Sequence, residues 1–173
     1  GTTPALALGF ANVIMQENLY DKEYAQQWTD MPILVRMDTL KYLKAAEVFG
    51  GDPAVLKQTF IVKDGEKAPP PIKQTVQNVV PEKLRLEWGD YVFWDAKKNA
   101  AQPLTRDDVG KNSKAVDAML EGFVEVTLAD GSKVRCRPVF DLVKEYAAHF
   151  TPQTVEELTW APAAAVQKLA RHF

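Results

Sequence analysis

The strongest constraint on the fold is a pair of short runs in which apolar and polar residues alternate. Residues 123–128 (FVEVTL) and 133–137 (KVRCR) are separated by the turn sequence Ala-Asp-Gly-Ser. Alternation with a period of two is typical of a half-buried strand, and Asp-Gly between two such runs favours a tight reversal. The sequence therefore predicts an antiparallel β-hairpin that buries one face against other elements.

Helices are predicted on both sides of this hairpin. After it, Pro138, Pro152 and Pro162 each stand at a helix start, where the fixed φ of proline is favourable. Before it, we predict helices over residues 4–18, 22–28, 40–48 and 53–60, with Asp38 or Thr39 capping the third. Apolar residues recur in the first helix at three- and four-residue spacing, which predicts one buried face: Leu6, Phe10, Val13, Ile14 and Met15.

The middle of the chain has a different texture. Residues 63–81 include three consecutive prolines and predict an irregular excursion, residues 91–94 (YVFW) predict a strand, and residues 101–113 are polar and turn-rich. The expected fold class is helix-rich α/β. We divide the chain into a helical part (1–62), an irregular excursion with one strand (63–119), and the hairpin plus three helices (120–173), forming a single domain or a fragment.

Size and charge limit the functional classes. A chain of 173 residues with 46% hydrophobic and 25% charged residues has the composition of one globular domain. Its net charge of −2 gives no general attraction to nucleic acid, so no nucleic-acid partner is expected. The longest apolar stretch, residues 5–15, is shorter than a bilayer-spanning helix, so we expect a soluble segment.

Several residues have side chains that could take part in catalysis or binding, but a structural role explains each of them at least as well. The single cysteine, Cys136, is flanked by two arginines that would lower its thiol pKa if it were exposed, but strand alternation favours an inward position. The pair Asp107-Asp108 is typical of a solvated loop, and His149 and His172 fit the last turns of helices. Arg36 and Asp38 could form a structural ion pair or contact a cofactor. We therefore expect no self-contained active site and no metal ligands.

The start of the first helix offers another candidate. Gly1, Thr2 and Thr3 precede Pro4, and the Thr3 hydroxyl could cap the free amides of the first turn. A helix start collects partial positive charge and free N–H groups, which favours an anion or a phosphate. An ordinary capped helix explains the same residues.

Three longer strings resemble one enzyme family. They are residues 1–39 (GTTPALALGFANVIMQENLYDKEYAQQWTDMPILVRMDT), residues 86–104 (LEWGDYVFWDAKKNAAQPL) and residues 120–171, which begin LEGFVEVTLADGSKVRCRPVF. In order and spacing they are similar to the catalytic subunits of molybdopterin oxidoreductases, the dimethyl sulfoxide reductase family. The resemblance is to the branch that holds respiratory nitrate reductases, and it implies an internal fragment of a larger subunit.

The resemblance implies a cofactor and a site. Members of the family bind molybdenum or tungsten through a bis(pyranopterin guanine dinucleotide) cofactor between Rossmann-like α/β domains. The start of this chain resembles the family's Gly-Thr-Asp-x-Ala-Leu string, so Gly1, Thr2 and Thr3 are the candidate cofactor-binding residues. Thr3 stands where the family has Asp, and a neutral hydroxyl cannot accept hydrogen bonds from guanine N–H groups as a carboxylate does. No residue here is expected to be catalytic, and no cofactor is expected on this chain alone.

The resemblance also implies partners. The expected partners are the remainder of the catalytic subunit and an iron–sulfur electron-transfer subunit. The isolated chain is also expected to self-associate. The parent enzyme is expected to be bacterial and either periplasmic or membrane-associated. The parent would transfer electrons or an oxygen atom to or from a small substrate. The alternative is a stand-alone binding or assembly module of the same ancestry without cofactor or activity.

Overall fold

The fold combines two small antiparallel sheets with a layer of helices. In a computed structural model of the chain, residues 1–50, 91–104, 110 and 113–173 are described. The elements in these ranges are, in chain order, α1 (Thr3–Gln16), α2 (Lys22–Gln27), β1 (Leu34–Arg36), α3 (Ala45–Phe49), β2 (Tyr91–Asp95), β3 (Ala100–Leu104), a 3₁₀ turn (Ala115–Asp117), β4 (Val124–Thr127), β5 (Lys133–Pro138), α4 (Val139–Ala147), α5 (Pro152–Thr159) and α6 (Ala163–Ala170).

The predicted hairpin is confirmed as β4 and β5. The strands pair antiparallel, with Val126 opposite Val134, and both of these side chains are buried. The reversal is closed by the Leu128 amide, which donates to the Ser132 carbonyl at 2.8 Å. Gly131 adopts a φ of 84°, a left-handed conformation that glycine reaches without steric cost, so Asp-Gly reverses the chain as the sequence predicts.

β5 is the central strand of a three-stranded sheet. β1 pairs antiparallel with its other edge, giving the order β1-β5-β4. The inward side chains of this sheet pack against residues from β2 and from the segment before α3. They form the main apolar core: Leu34, Leu43, Ala45, Val92, Val126, Val134 and Cys136.

A second sheet contains a strand that the sequence analysis missed. β3 pairs antiparallel with β2. The sequence predicted only one strand within residues 63–119, and it predicted a polar, turn-rich segment over residues 101–113. The buried carboxylate of Asp95 accepts a hydrogen bond from the Lys98 amide at 2.8 Å, and Asn99 turns the chain with a φ of 51°. The AAQPL sequence of β3 does not alternate, so its pairing depends on this reversal rather than on its own pattern.

The third helix begins later than predicted. The expectation was a helix over residues 40–48 capped by Asp38 or Thr39, but α3 begins at Ala45. The Arg36 amide donates to the Lys41 carbonyl at 2.8 Å, and Leu40 has a φ of 55°, so residues 36–41 form a tight reversal. The carboxylate of Asp38 binds the Arg36 guanidinium and is not used as a helix cap. The predicted end is confirmed, because Gly50 follows α3 with a φ of 67°.

The remaining described helices match the predicted positions and form a layer around α1. α1 packs against α4, α5 and α6. Gly9 permits a close approach of α1 to α5, because a Cβ atom built on it would lie 2.6 Å from Cγ2 of Val155. The Asn12 side-chain amide donates to the Phe150 carbonyl at 3.2 Å, and Glu17 forms two hydrogen bonds with Arg171 at 2.7 and 2.8 Å.

Several predictions concern residues that the structure does not describe. The helix over residues 53–60, the excursion over residues 63–81 and the Asp107-Asp108 pair lie outside the described ranges. The division into three parts and the Rossmann-like architecture therefore stay predictions. Over the described residues, no helix combines the length and the apolar character needed to cross a bilayer.

Gly9→Ala tests the contact between α1 and α5. Alanine normally stabilises a helix by about 1 kcal/mol relative to glycine. Here the added methyl group meets the buried Val155 side chain, and we expect a net loss of about 1–3 kcal/mol in the free energy of unfolding, measured with urea. In a Val155→Ala background the clash is removed, so the same change should become stabilising. A stabilising Gly9→Ala in the wild-type background would contradict the contact.

Trp160→Gly tests the end of α5. Trp160 has a left-handed backbone (φ 62°), and its side chain is 90% exposed. A left-handed conformation costs a non-glycine residue about 1–2 kcal/mol, and an exposed indole offsets little of this cost. We therefore expect Trp160→Gly to raise the free energy of unfolding by about 1 kcal/mol.

Trp160→Ala is the matched control, because it removes the indole and keeps the strained backbone. Its thermal midpoint should stay near that of the wild type. If both variants were destabilised equally, the indole would be contributing packing energy instead.

Candidate functional site

The start of α1 is the structural location of the three candidate residues. Gly1, Thr2 and Thr3 are all exposed, and they lie together at the N-terminal end of a 14-residue helix. The structure thus brings together the residues that the sequence identified. The other end of α1 is held by the ion pair between Glu17 and Arg171, which follows α6.

The capping role predicted for Thr3 is wrong. Thr3 is the first residue of α1, Thr2 is the N-cap, and no side chain caps the helix. The backbone of Thr2 has φ −94° and ψ 0°, whereas a capping residue needs extended backbone to aim its oxygen at the next amides. Pro4 removes one of those amides, because proline has no N–H group.

The electrostatics of this helix start favour an anion. The first turn of α1 contains no acidic residue, so no side chain within that turn offsets the partial positive charge of the helix end. A helix start without a side-chain cap can donate backbone hydrogen bonds to a phosphate or a carboxylate.

Arg36 and Asp38 form a structural ion pair. The Arg36 guanidinium donates to both carboxylate oxygens of Asp38, at 3.0 and 2.7 Å, and also binds Glu47. The hydrogen bond from Arg36 holds the pKa of the Asp38 carboxyl below its usual range. Glu47 also accepts from the Lys44 amide at 2.8 Å, so this network joins the 36–41 reversal to the start of α3.

Cys136 is a core residue, as strand alternation predicts. Its side chain is completely buried between β1 and β4, and burial raises the pKa of its thiol to about 11. The flanking arginines point to the other face of the sheet, where Arg135 and Arg137 lie 3.7 and 4.9 Å from the ring centre of Phe123. A thiol in this environment is a poor nucleophile at neutral pH.

The other chemical candidates have ordinary surroundings. His149 and His172 are exposed and follow the last turns of α4 and α6. Among the described residues there is no group of three histidine, cysteine or carboxylate side chains that could hold a metal ion.

The buried carboxylate of Asp95 is a residue that the sequence analysis did not single out. The Lys98 amide and ammonium group hydrogen-bond to it and lower the pKa of its carboxyl. Its role is to close the reversal between β2 and β3. The signal in the sequence was an aspartate followed by a polar Lys-Lys-Asn turn.

Comparison with known proteins decides the family. The chain is 32% identical, over its whole length, to the perchlorate reductase alpha subunit of Dechloromonas aromatica. The chain belongs to the catalytic subunits of the molybdopterin oxidoreductases. It is also 30% identical to the respiratory nitrate reductase alpha subunit of Haloferax mediterranei and 28% identical to the dopamine dehydroxylase of Eggerthella lenta, again over its full length. No protein-family model matches the chain.

The relatives are much longer than the chain. It spans 18% of the perchlorate reductase subunit, 15% of the nitrate reductase subunit and 21% of the dopamine dehydroxylase. The resemblance to molybdopterin oxidoreductase catalytic subunits is confirmed by these relatives, and the chain corresponds to about a fifth or less of each of them.

The buried thiol predicts a pH dependence of stability. The unfolded thiol ionises near pH 9 and the folded thiol near pH 11, so the unfolded state loses its proton first as the pH rises. The stabilisation present below pH 9 is therefore lost between pH 9 and 11. Urea unfolding of the wild type and of Cys136→Ala should show their difference shrinking by on the order of 2 kcal/mol over this range. A constant difference would mean that the thiol ionises equally easily in both states.

Proposed function

We propose that this chain helps to form the cradle of a molybdenum cofactor in the catalytic subunit of an oxidoreductase. The cofactor would be the bis(pyranopterin guanine dinucleotide) form, and it supplies the electron or oxygen-atom transfer when bound. The uncapped start of α1, with Gly1, Thr2 and Thr3 exposed and no acid in the first turn, is the observation that carries the proposal. The ligand class in this proposal is an anionic dinucleotide, which the resemblance of the chain's first residues to the family string implies.

The residues at this helix start fit such a ligand. The amides of the first turn of α1 are suited to a negatively charged oxygen. The hydroxyls of Thr2 and Thr3 can each donate or accept one further hydrogen bond. In this proposal these residues bind and orient the dinucleotide, and none of them transfers a proton.

The assignment extends to the surroundings of the chain. We propose that the described helices and sheets are part of a Rossmann-like α/β domain, and that the remainder of the catalytic subunit completes the site. An iron–sulfur subunit would exchange electrons with the cofactor, in a bacterial parent enzyme that is periplasmic or membrane-associated. Self-association of the isolated chain is expected, because large apolar side chains such as those of Trp160 and Leu169 are exposed.

Thr3 favours a second candidate function, a binding or assembly module without cofactor. A hydroxyl in place of the family's carboxylate forms a weaker contact with guanine N–H donors. Molybdenum and pterin analysis of the full-length natural protein that contains this chain separates the two functions: stoichiometric metal and pterin support the cradle, and their complete absence supports the module. The 173-residue chain alone should retain almost no molybdenum, and a tightly held pterin on it would contradict an incomplete site.

Thr3→Asp is the direct test of the cradle. A carboxylate at this position would add a charge-assisted hydrogen bond worth about 1.5–3 kcal/mol, so retention of the guanine dinucleotide by the full subunit should improve roughly tenfold or more. Pterin retained after dialysis is the measurement. Thr3→Asn is the matched control, since it has similar size and no charge, and it should change retention little. Equal retention in all three proteins would place the dinucleotide elsewhere.

A further inference from the structure

An apolar groove lies on the face of the molecule formed by the 36–41 reversal and α4. It has a volume of about 920 Å³ and is lined mainly by side chains from β1, the reversal and one side of α4. Its apolar lining includes Val35, Leu40, Tyr42, Leu142, Val143 and Tyr146. Leu40 is 71% exposed and Tyr146 is 57% exposed, so the apolar surface continues outside the groove.

The backbone holds this surface open. Leu40 has a left-handed φ of 55°, in a reversal closed by the hydrogen bond between Arg36 and Lys41. The Arg36 guanidinium is bound by Asp38 and Glu47, which fixes the reversal against α3. The Leu40 side chain is therefore exposed on a turn that has a strained backbone and is held by ion pairs. Its exposure means that the described residues give it little hydrophobic stabilisation.

The charges beside the groove select the kind of occupant. Its lining includes three basic side chains, those of Arg36, Lys41 and Lys44, and the carboxylate of Glu47. Asp38 is the second carboxylate that binds Arg36, so three basic and two acidic groups leave a net charge of +1 at the groove. A second copy of the chain would bring the same net positive charge to the interface, and like charges oppose such pairing. An apolar segment flanked by aspartate or glutamate is complementary to this surface.

Length indicates the source of that segment. The relatives that match the whole chain are subunits of which it spans only 15–21%, so most of a subunit of this kind lies outside these 173 residues. We propose that the groove between the 36–41 reversal and α4 is the docking surface for an apolar, acid-flanked segment of the same catalytic subunit. The inference rests on the proposed place of this chain in a longer subunit, and it needs no cofactor.

Photo-crosslinking in the cofactor-free catalytic subunit tests this docking surface. The changes Leu40→p-benzoylphenylalanine and Tyr146→p-benzoylphenylalanine put a reactive ketone at two points of the groove. After irradiation, both positions should give adducts with one common peptide of the same polypeptide, outside these 173 residues and containing Asp or Glu. Adducts only with a second copy or with another subunit, or no adducts at all, would overturn the proposal.

A charge variant tests the acidic character of the segment. Lys41→Glu should lower the adduct yield at position 40 severalfold, because it places like charges together. Lys22→Glu, on α2 and away from the groove, is the matched control and should leave the yield unchanged. An unchanged yield in Lys41→Glu would overturn the assigned chemistry. Urea midpoints of both variants establish that the fold is intact, and failure of the subunit to bind molybdenum affects none of these outcomes.

Discussion

The pairing of β5 with both of its neighbours is the constraint on which the described structure depends. One edge of this strand binds β4, its neighbour in sequence, and the other binds β1, which lies about 100 residues earlier. Its last residue, Pro138, is also the N-cap of α4, so the strand leads directly into the helical layer. The amides of Val139 and Phe140 then donate to the carbonyls of Ile33 and Met31, which extends the connection between the two halves of the chain.

Local sequence signals predicted most of the elements because each signal has a local physical cause. Asp21 caps α2 by accepting from the Tyr24 amide, and Thr151 caps α5 by accepting from the Thr154 amide, at 2.9 and 3.1 Å. Asp-Gly reverses the chain between β4 and β5 because Gly131 reaches a left-handed conformation easily. In each case the residue acts within three or four positions of itself, which is the distance over which sequence patterns are informative.

The errors came from interactions between distant or competing groups. Asp38 looked like a helix cap, but its carboxylate binds Arg36, whose other partner, Glu47, is eleven residues along the chain. Strand β3 has no alternation of its own and forms because β2 is already placed beside it. The location of the candidate site could be predicted from its resemblance to a family string, but the missing cap at Thr2 required the backbone angles.

The helix that carries the candidate site is synthesised well before the helices that pack against it. Asn12 contacts Phe150, and Glu17 contacts Arg171, a separation of 154 residues. Ribosomes add about 5–20 residues per second, so α1 waits roughly 8–30 s for the helices that cover it. During that interval its apolar face is available to chaperones and to other nascent chains. Correct assembly of the helix start therefore depends on the final residues of this chain.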